Sequence, residues 1–113
     1  MKEYSKTEKR RLRELAEIAY ERELRETLSA FAMKFDDWKA GKITSSELSQ
    51  LLHEYDYGES RKLWGVYQSP RQDMLVARAI AIGLLSDKEV GDDVVLLLKQ
   101  QIAFYKEDSI REK

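Results

Sequence analysis

Cysteine is absent from the 113-residue chain. Without a thiol, the chain cannot form a disulfide bond, a thiolate zinc site, an iron–sulfur cluster or a cysteine nucleophile. His53 is the single histidine, so a metal site built from several histidines is excluded as well. We therefore expect no cofactor and no metal.

Turn-forming residues are also scarce, with one proline and five glycines. Long segments show helical rather than alternating periodicity. The sequence therefore predicts an all-α fold of about five helices, in which a long N-terminal helix packs on a bundle of short helices and an apolar fourth helix lies at the centre. Because no linker or repeat divides the chain, we expect a single domain over residues 1–113, frayed at 1–5 and 108–113.

Neither sign of charge predominates, since 20 Lys and Arg residues balance 21 Asp and Glu residues for a formal net charge of -1. No overall field attracts the protein to nucleic acid or to an anionic membrane. The longest apolar run, Met74 to Leu85, is interrupted by Arg78 and is shorter than the roughly 20 residues of a membrane-spanning helix. Met1 to Arg13 is charged where a secretory signal is apolar. We expect a soluble, cytoplasmic protein.

The first helix is predicted to begin near Ser5 or Thr7 and to continue to about Lys39, with Gly41 as its C-terminal cap. Its apolar side chains recur every three or four residues: Leu12, Ala16, Tyr20, Leu24, Leu28, Phe31, Phe35 and Trp38. Such a helix is roughly 50 Å long and overhangs a domain of this size. Either it bends around Ala19 to Leu24, or its N-terminal half packs against another subunit. We favour the second arrangement, a homodimer.

Two capping boxes mark later helix starts, at Thr44 to Glu47 and at Ser86 to Glu89. We expect the second helix to end with Gly58 as a left-handed cap, followed by a short helix from Ser60 to Tyr67. The last helix is expected to be irregular at Gly91.

The fourth helix is predicted to begin at Ser69-Pro70-Arg71-Gln72 and to continue to about Leu85. Nearly every face of it is apolar, which is typical of a central buried helix or an oligomer interface. Within this run Arg78 must either extend to solvent or pair with an acid, and we expect an ion pair; binding of an anionic ligand is the alternative.

No recognisable catalytic constellation is present. Ser49 precedes His53 by one helical turn, but nothing completes a triad, and no phosphate-binding or dinucleotide-binding glycine motif occurs. Asp36 to Glu47 resembles a calcium-binding loop in outline, yet Trp38 and Ala40 stand where oxygen ligands are needed. We interpret that segment as a helix corner with a cap and the chain as a non-enzyme.

The sequence favours a protein-interaction or regulatory module. The candidate partner-binding residues are aromatic and basic: Tyr55, Tyr57, Arg61, Lys62, Trp64, Tyr67 and Arg71. Tyrosine, tryptophan and arginine are typical interface anchors. Trp64 and Tyr67 could instead fill the junction between the short helix and its neighbours, with their polar tips reaching water.

Two other functional classes remain open. The first is a small nucleic-acid-associated regulator that uses basic residues of the first helix: Lys6, Lys9, Arg10, Arg11 and Arg13. The second is a small-molecule binder or an enzyme of an unfamiliar type, with Arg78 and tyrosines in a pocket between helices.

Overall fold

The computed structural model describes the backbone of residues 3–111 and the side chains of residues 3–108. All regular structure in this part of the chain is helical, which confirms the predicted all-α fold. The elements are α1 (Lys6–Lys39), α2 (Ser45–Tyr55), a π-helical turn (Asp56–Ser60), α3 (Arg61–Val66), α4 (Gln72–Ala81), α5 (Asp87–Val90), α6 (Asp92–Leu97) and α7 (Lys99–Arg111).

Contacts divide the chain into two compact units. Unit 1 combines the chain up to Tyr20 with the chain from Ser69 onward, and unit 2 is Glu21–Gln68. The first part of α1 therefore belongs to unit 1 and the remainder to unit 2, with unbroken helical structure from Lys6 to Lys39. A single domain over residues 1–113 stays a prediction.

Local signals explain both ends of α1. The Ser5 N–H donates to Glu8 Oε1 at 2.8 Å, and the Glu8 N–H donates to Ser5 Oγ at 3.0 Å, which forms a reciprocal cap. At the other end, the Gly41 N–H donates to the Trp38 carbonyl at 3.0 Å. Residues 3–5 were expected to fray, but Ser5 takes part in this cap. Residues 108–111, also expected to fray, are helical in α7, and residues 1–2 and 112–113 lie outside the described residues.

The later boundaries agree with the predictions in part. Both predicted capping boxes are present, at the starts of α2 and α5. Gly58 does not end α2, because it lies in a π-helical turn through which the helix continues into α3. α4 ends at Ala81 rather than near Leu85, since Gly83 at φ 86° adopts a backbone that L-residues avoid. Gly91, at φ 98°, is the predicted irregularity, but the single last helix that we expected is divided there and again at Leu98, into α5, α6 and α7.

Unit 1 contains an extensive apolar core. α4 lies at its centre and packs against α7, and five of its apolar side chains are buried: Leu75, Val76, Ala77, Ala79 and Ile80. The other buried apolar residues come from α1 and from the C-terminal segments: Leu12, Leu15, Ala16, Ala19, Leu85, Val90, Val94, Leu98 and Ile102. One side of the N-terminal half of α1 is thus buried within unit 1. A second subunit against that half stays a prediction.

Unit 2 is a helical hairpin with a small core. The second half of α1 is linked to the rod formed by α2, the π-helical turn and α3, and the described connections include a hydrogen bond from Trp38 Nε1 to Ser45 Oγ at 3.0 Å. Leu48 and Leu63 are the only apolar residues of this unit that are buried, and each keeps a few per cent of its surface exposed. Two helical rods bury one side of each other and leave the remaining sides exposed.

None of the helices in the described residues combines the length and the hydropathy needed to cross a bilayer.

Candidate functional site

The residues predicted to bind a partner do not form one site. Most of them lie in unit 2: Tyr55, Tyr57, Arg61, Lys62, Trp64 and Tyr67. Arg71 lies in unit 1, where it belongs to a different cluster. We predicted one site because these residues are close along the chain. The boundary between the units, after Gln68, separates Arg71 from the other six residues.

Two of the predicted residues connect the rods of the hairpin. The Tyr55 hydroxyl lies 2.7 Å from Thr27 Oγ1, and its ring centroid is 5.0 Å from that of Phe31. The Tyr67 hydroxyl donates to Glu23 Oε1 at 2.8 Å. Both tyrosines are half-buried. Tyr67 matches the alternative that we left open, in which it fills the junction between the short helix and its neighbours.

Tyr57 and Arg61 instead form an exposed stack with His53. The rings of His53 and Tyr57 are nearly parallel with centroids 6.5 Å apart, and the Arg61 guanidinium carbon lies 4.4 Å from the Tyr57 centroid. Tyr57 is 64% exposed. Stacking and a cation–π contact hold this planar surface in place while it faces solvent.

Lys62 and Trp64 flank the buried Leu63 in α3 and are both exposed. Trp64 is 57% exposed, although its neighbour is part of the small core. It belongs to a larger group of large apolar or aromatic side chains of unit 2 that remain exposed. This group consists of Leu28, Met33, Phe35, Trp38, Leu52, Tyr57 and Trp64.

One side of α1 within unit 2 carries a shallow open depression. Its lining residues recur at helical spacing: Glu21, Leu24, Arg25, Leu28, Ser29 and Ala32. Ser29 and Ala32 are small, whereas Leu24 and Leu28 project beside them. Arg25 Nε donates to Glu21 Oε2 at 3.1 Å along the helix. We call this surface the α1 groove.

The basic residues near the start of α1 do not all form one surface either. Arg11 donates through Nη2 to the Glu89 carbonyl at 3.1 Å and lies 4.0 Å from Glu14, so it is engaged within unit 1. The others line a common shallow depression with Thr7: Lys6, Lys9, Arg10 and Arg13. Lys9 and Arg13 also line a second pocket, together with Arg71 and Asp73.

A polar cluster in unit 1 surrounds the buried Asp73, which is only 5% exposed. Arg71 donates to both carboxylate oxygens, through Nε at 3.2 Å and Nη2 at 3.1 Å. The Tyr4 hydroxyl donates to Asp73 Oδ2 at 2.9 Å. Gln101 Nε2 lies 3.2 Å from the Tyr4 hydroxyl and 3.4 Å from Asp73 Oδ2.

These contacts perturb the titration of three groups. Burial and the neighbouring Asp73 carboxylate raise the pKa of Tyr4 to about 12. Burial alone would raise the pKa of Asp73, but hydrogen bonds from Arg71 and Tyr4 outweigh it and lower that pKa. The hydrogen bond to Asp73 raises the pKa of Arg71. The ionised carboxylate is therefore the stable form in this cluster.

The sequence analysis missed Tyr4, Asp73 and Gln101. They come from three distant segments, so no local spacing connects them. One available signal was an acid at the second position of an apolar helix, because a buried carboxylate needs partners. Gln101 Oε1 is buried and has no hydrogen-bond partner among the described residues.

The segment from Asp36 to Glu47 forms the predicted helix corner. Glu47 Oε1 accepts a hydrogen bond from the Thr44 N–H at 3.0 Å and so completes the cap of α2. In the part of the chain that the structure describes, no group of three or more His, Asp or Glu residues is placed to hold a metal ion. Arg78, the arginine that interrupts the apolar run of α4, is half-buried and has a partner within the chain.

Comparison with protein-family models, with curated proteins and with solved structures gives no significant match.

Proposed function

We propose that the chain is a non-catalytic interaction module that pairs with a second copy of itself through unit 2. The observation that carries this proposal is the unequal burial within the hairpin, where two apolar side chains are buried and a larger group of apolar and aromatic side chains is exposed. Exposed apolar side chains that share one face of a helix, as Leu28 and Phe35 do at a spacing of seven residues, are typical of an interaction site.

The α1 groove favours a helix as the occupant. Projecting Leu24 and Leu28 alternate with small Ser29 and Ala32 on one helical face. Side chains of a second helix can enter between such ridges, as in the ridges-into-grooves packing of helix pairs. The face continues toward Phe35, which lies one heptad beyond Leu28 and is also exposed.

A second copy fits this surface because the groove offers projections and recesses on the same face. An isologous two-fold contact needs such self-complementarity, since each subunit presents the same patch. Pairing two hairpins also gives four helical rods, the arrangement in which each rod has two neighbours around a shared core. The exposed stack of Tyr57 and Arg61 would then remain available at the surface for another protein.

Sedimentation velocity over a wide concentration range tests this proposal. We expect a monomer–dimer equilibrium in the wild type. Leu28→Glu should give a monomer at all concentrations, because it places a charge in the contact. Leu28 is 49% exposed, so the variant should retain its helical circular dichroism.

Leu96→Glu is the matched control. Leu96 lies in α6 of unit 1 and is 72% exposed, so the same chemical change is made outside the hairpin. It should leave the dimer intact. A wild type that stays monomeric, a dimer that survives Leu28→Glu, or a dimer that dissociates in both variants would each contradict the proposal.

Nucleic-acid contact stays a second candidate because Lys6, Lys9, Arg10 and Arg13 line one depression. Phosphate contacts predict affinity that decreases steeply with salt. Electrophoretic mobility of a short DNA or RNA at low salt tests it, and unchanged mobility would reject it. A cytoplasmic location stays a prediction, as does a small-molecule or enzymatic role for Arg78.

A further inference from the structure

Unit 1 contains a pocket that the proposed dimer does not use. It has a volume of about 450 Å³, within the range of small-ligand sites. It lies between the starts of α1 and α4 and reaches α7. The residues that line it are Tyr4, Lys9, Leu12, Arg13, Pro70, Arg71, Gln72, Asp73 and Gln101. We call it the Arg71 pocket.

The charge of this pocket is positive. Lys9, Arg13 and Arg71 contribute three cations, and Asp73 is the single acid in the lining. The Asp73 carboxylate is already engaged by Arg71, Tyr4 and Gln101. No described residue forms an ion pair with Lys9 or Arg13. Two positive charges therefore face the pocket without a compensating acid.

Asp73 also fixes the orientation of Arg71. Two parallel hydrogen bonds hold the guanidinium plane through Nε and Nη2. Arginine has five N–H donors, so three remain for another acceptor. The Arg71 side chain is 65% exposed, which leaves these donors accessible. A guanidinium that is already held in one plane loses less rotamer freedom when it binds an anion.

We propose that the Arg71 pocket binds the phosphate group of a small phosphate monoester. A planar guanidinium suits bidentate recognition of phosphate, and lysine and arginine nearby add charge. Leu12 and Pro70 supply apolar walls for the organic part of the ligand. The concave shape and the chain's net charge of -1 favour a small ligand over a long polyanion.

Isothermal titration calorimetry of the full chain with ribose 5-phosphate, inorganic phosphate and a short single-stranded oligonucleotide tests this site. We expect saturable binding of ribose 5-phosphate, weaker binding of inorganic phosphate and no tighter binding of the oligonucleotide. Failure of all three probes to bind would overturn the proposal. Binding of the oligonucleotide alone would overturn the small-ligand assignment and support the nucleic-acid candidate.

Substitutions test whether ribose 5-phosphate binds in the Arg71 pocket. Arg13→Gln and Arg71→Lys should each weaken ribose 5-phosphate about tenfold, the second by losing the fork while keeping the charge. Lys88→Gln removes one charge at an exposed position of α5 that does not line the pocket, and it should bind like the wild type. Equal losses in all three variants would show only a general charge effect and would contradict the assignment. Thermal unfolding without ligand establishes that each variant is folded.

Discussion

Unit 1 and unit 2 share α1 but use it differently. In unit 1, the start of α1 and the segments after Ser69 bury a continuous set of apolar side chains around α4. In unit 2, the remainder of α1 has one helical rod as its partner, and most of its large apolar residues are only partly covered. Two rods cannot enclose a core, whereas a central helix with neighbours on several sides can. Stability should therefore be concentrated in unit 1, and surface for binding should be concentrated in unit 2.

The largest expected difference between the units concerns leucine truncation. Leu98 is 0% exposed, so Leu98→Ala should lower the free energy of unfolding by about 3 to 4 kcal/mol through lost burial and a cavity. Leu28→Ala should cost less than about 1 kcal/mol in the monomer, because half of that side chain already contacts water. Urea unfolding at low protein concentration measures both. Similar losses of unfolding free energy in Leu98→Ala and Leu28→Ala would mean that the hairpin buries Leu28 in the monomer. The proposed difference in burial between the two units would then be wrong.

Glycine-to-alanine substitutions in the two units should change the free energy of unfolding in opposite directions. Gly91 of unit 1 has φ 98°, and an added Cβ would lie 2.9 Å from Asp93 Oδ1, so Gly91→Ala should destabilise by about 1 to 3 kcal/mol. Gly65 of unit 2 lies in α3 with nothing within 4 Å of an added Cβ. Gly65→Ala should stabilise by about 0.5 to 1 kcal/mol, since alanine loses less backbone entropy in a helix. Urea unfolding measures both changes. Destabilisation by both would show that a side chain at position 65 meets a neighbouring group on the surface of α3.

A smaller, pH-dependent effect is expected from Tyr4. Its pKa in the folded protein is raised to about 12 from an ordinary value of 10.0. The folded state therefore holds the hydroxyl proton more tightly, so the contribution of Tyr4 is complete below pH ~10 and is lost as pH rises toward ~12. At neutral pH, Tyr4→Phe should lower the free energy of unfolding by about 1 kcal/mol.

The measured quantity is the difference in melting temperature between the wild type and Tyr4→Phe across this pH range. Subtraction removes the titration of lysines and other tyrosines, which both proteins share. The difference should shrink between pH ~10 and ~12. A difference that is constant with pH would mean that Tyr4 does not titrate differently in the folded chain.

The sequence predicted the features that depend on neighbouring residues. Ser86 with Glu89 and Thr44 with Glu47 mark helix starts because a capping box needs only four consecutive residues. The apolar α4 was identified as central because its pattern has no polar face. Gly58 was misassigned, since a glycine after a helix indicates an end unless the helix continues through a π-helical turn, and that choice depends on packing.

The candidate sites were harder to predict because they depend on tertiary contacts. Arg71 was grouped with Tyr67 on the basis of sequence proximity, but its partner Asp73 belongs to a cluster completed by Tyr4 and Gln101. The role of Tyr55 was also ambiguous, because an aromatic residue with the same local pattern can join two helices or face a partner. The contacts of Tyr55 with Thr27 and Phe31 distinguish the two.

The π-helical turn at Asp56–Ser60 sets the rotational register of α3. Such a turn accommodates an extra residue within a helix, and each residue of an α-helix turns the chain by about 100°. Removing one residue from the turn would rotate α3 by that amount about its own axis. Leu63 would leave the small core and Tyr67 would lose Glu23. One residue of length in this turn therefore selects which side of α3 is presented to solvent, and so which aromatic residues a binding partner can reach.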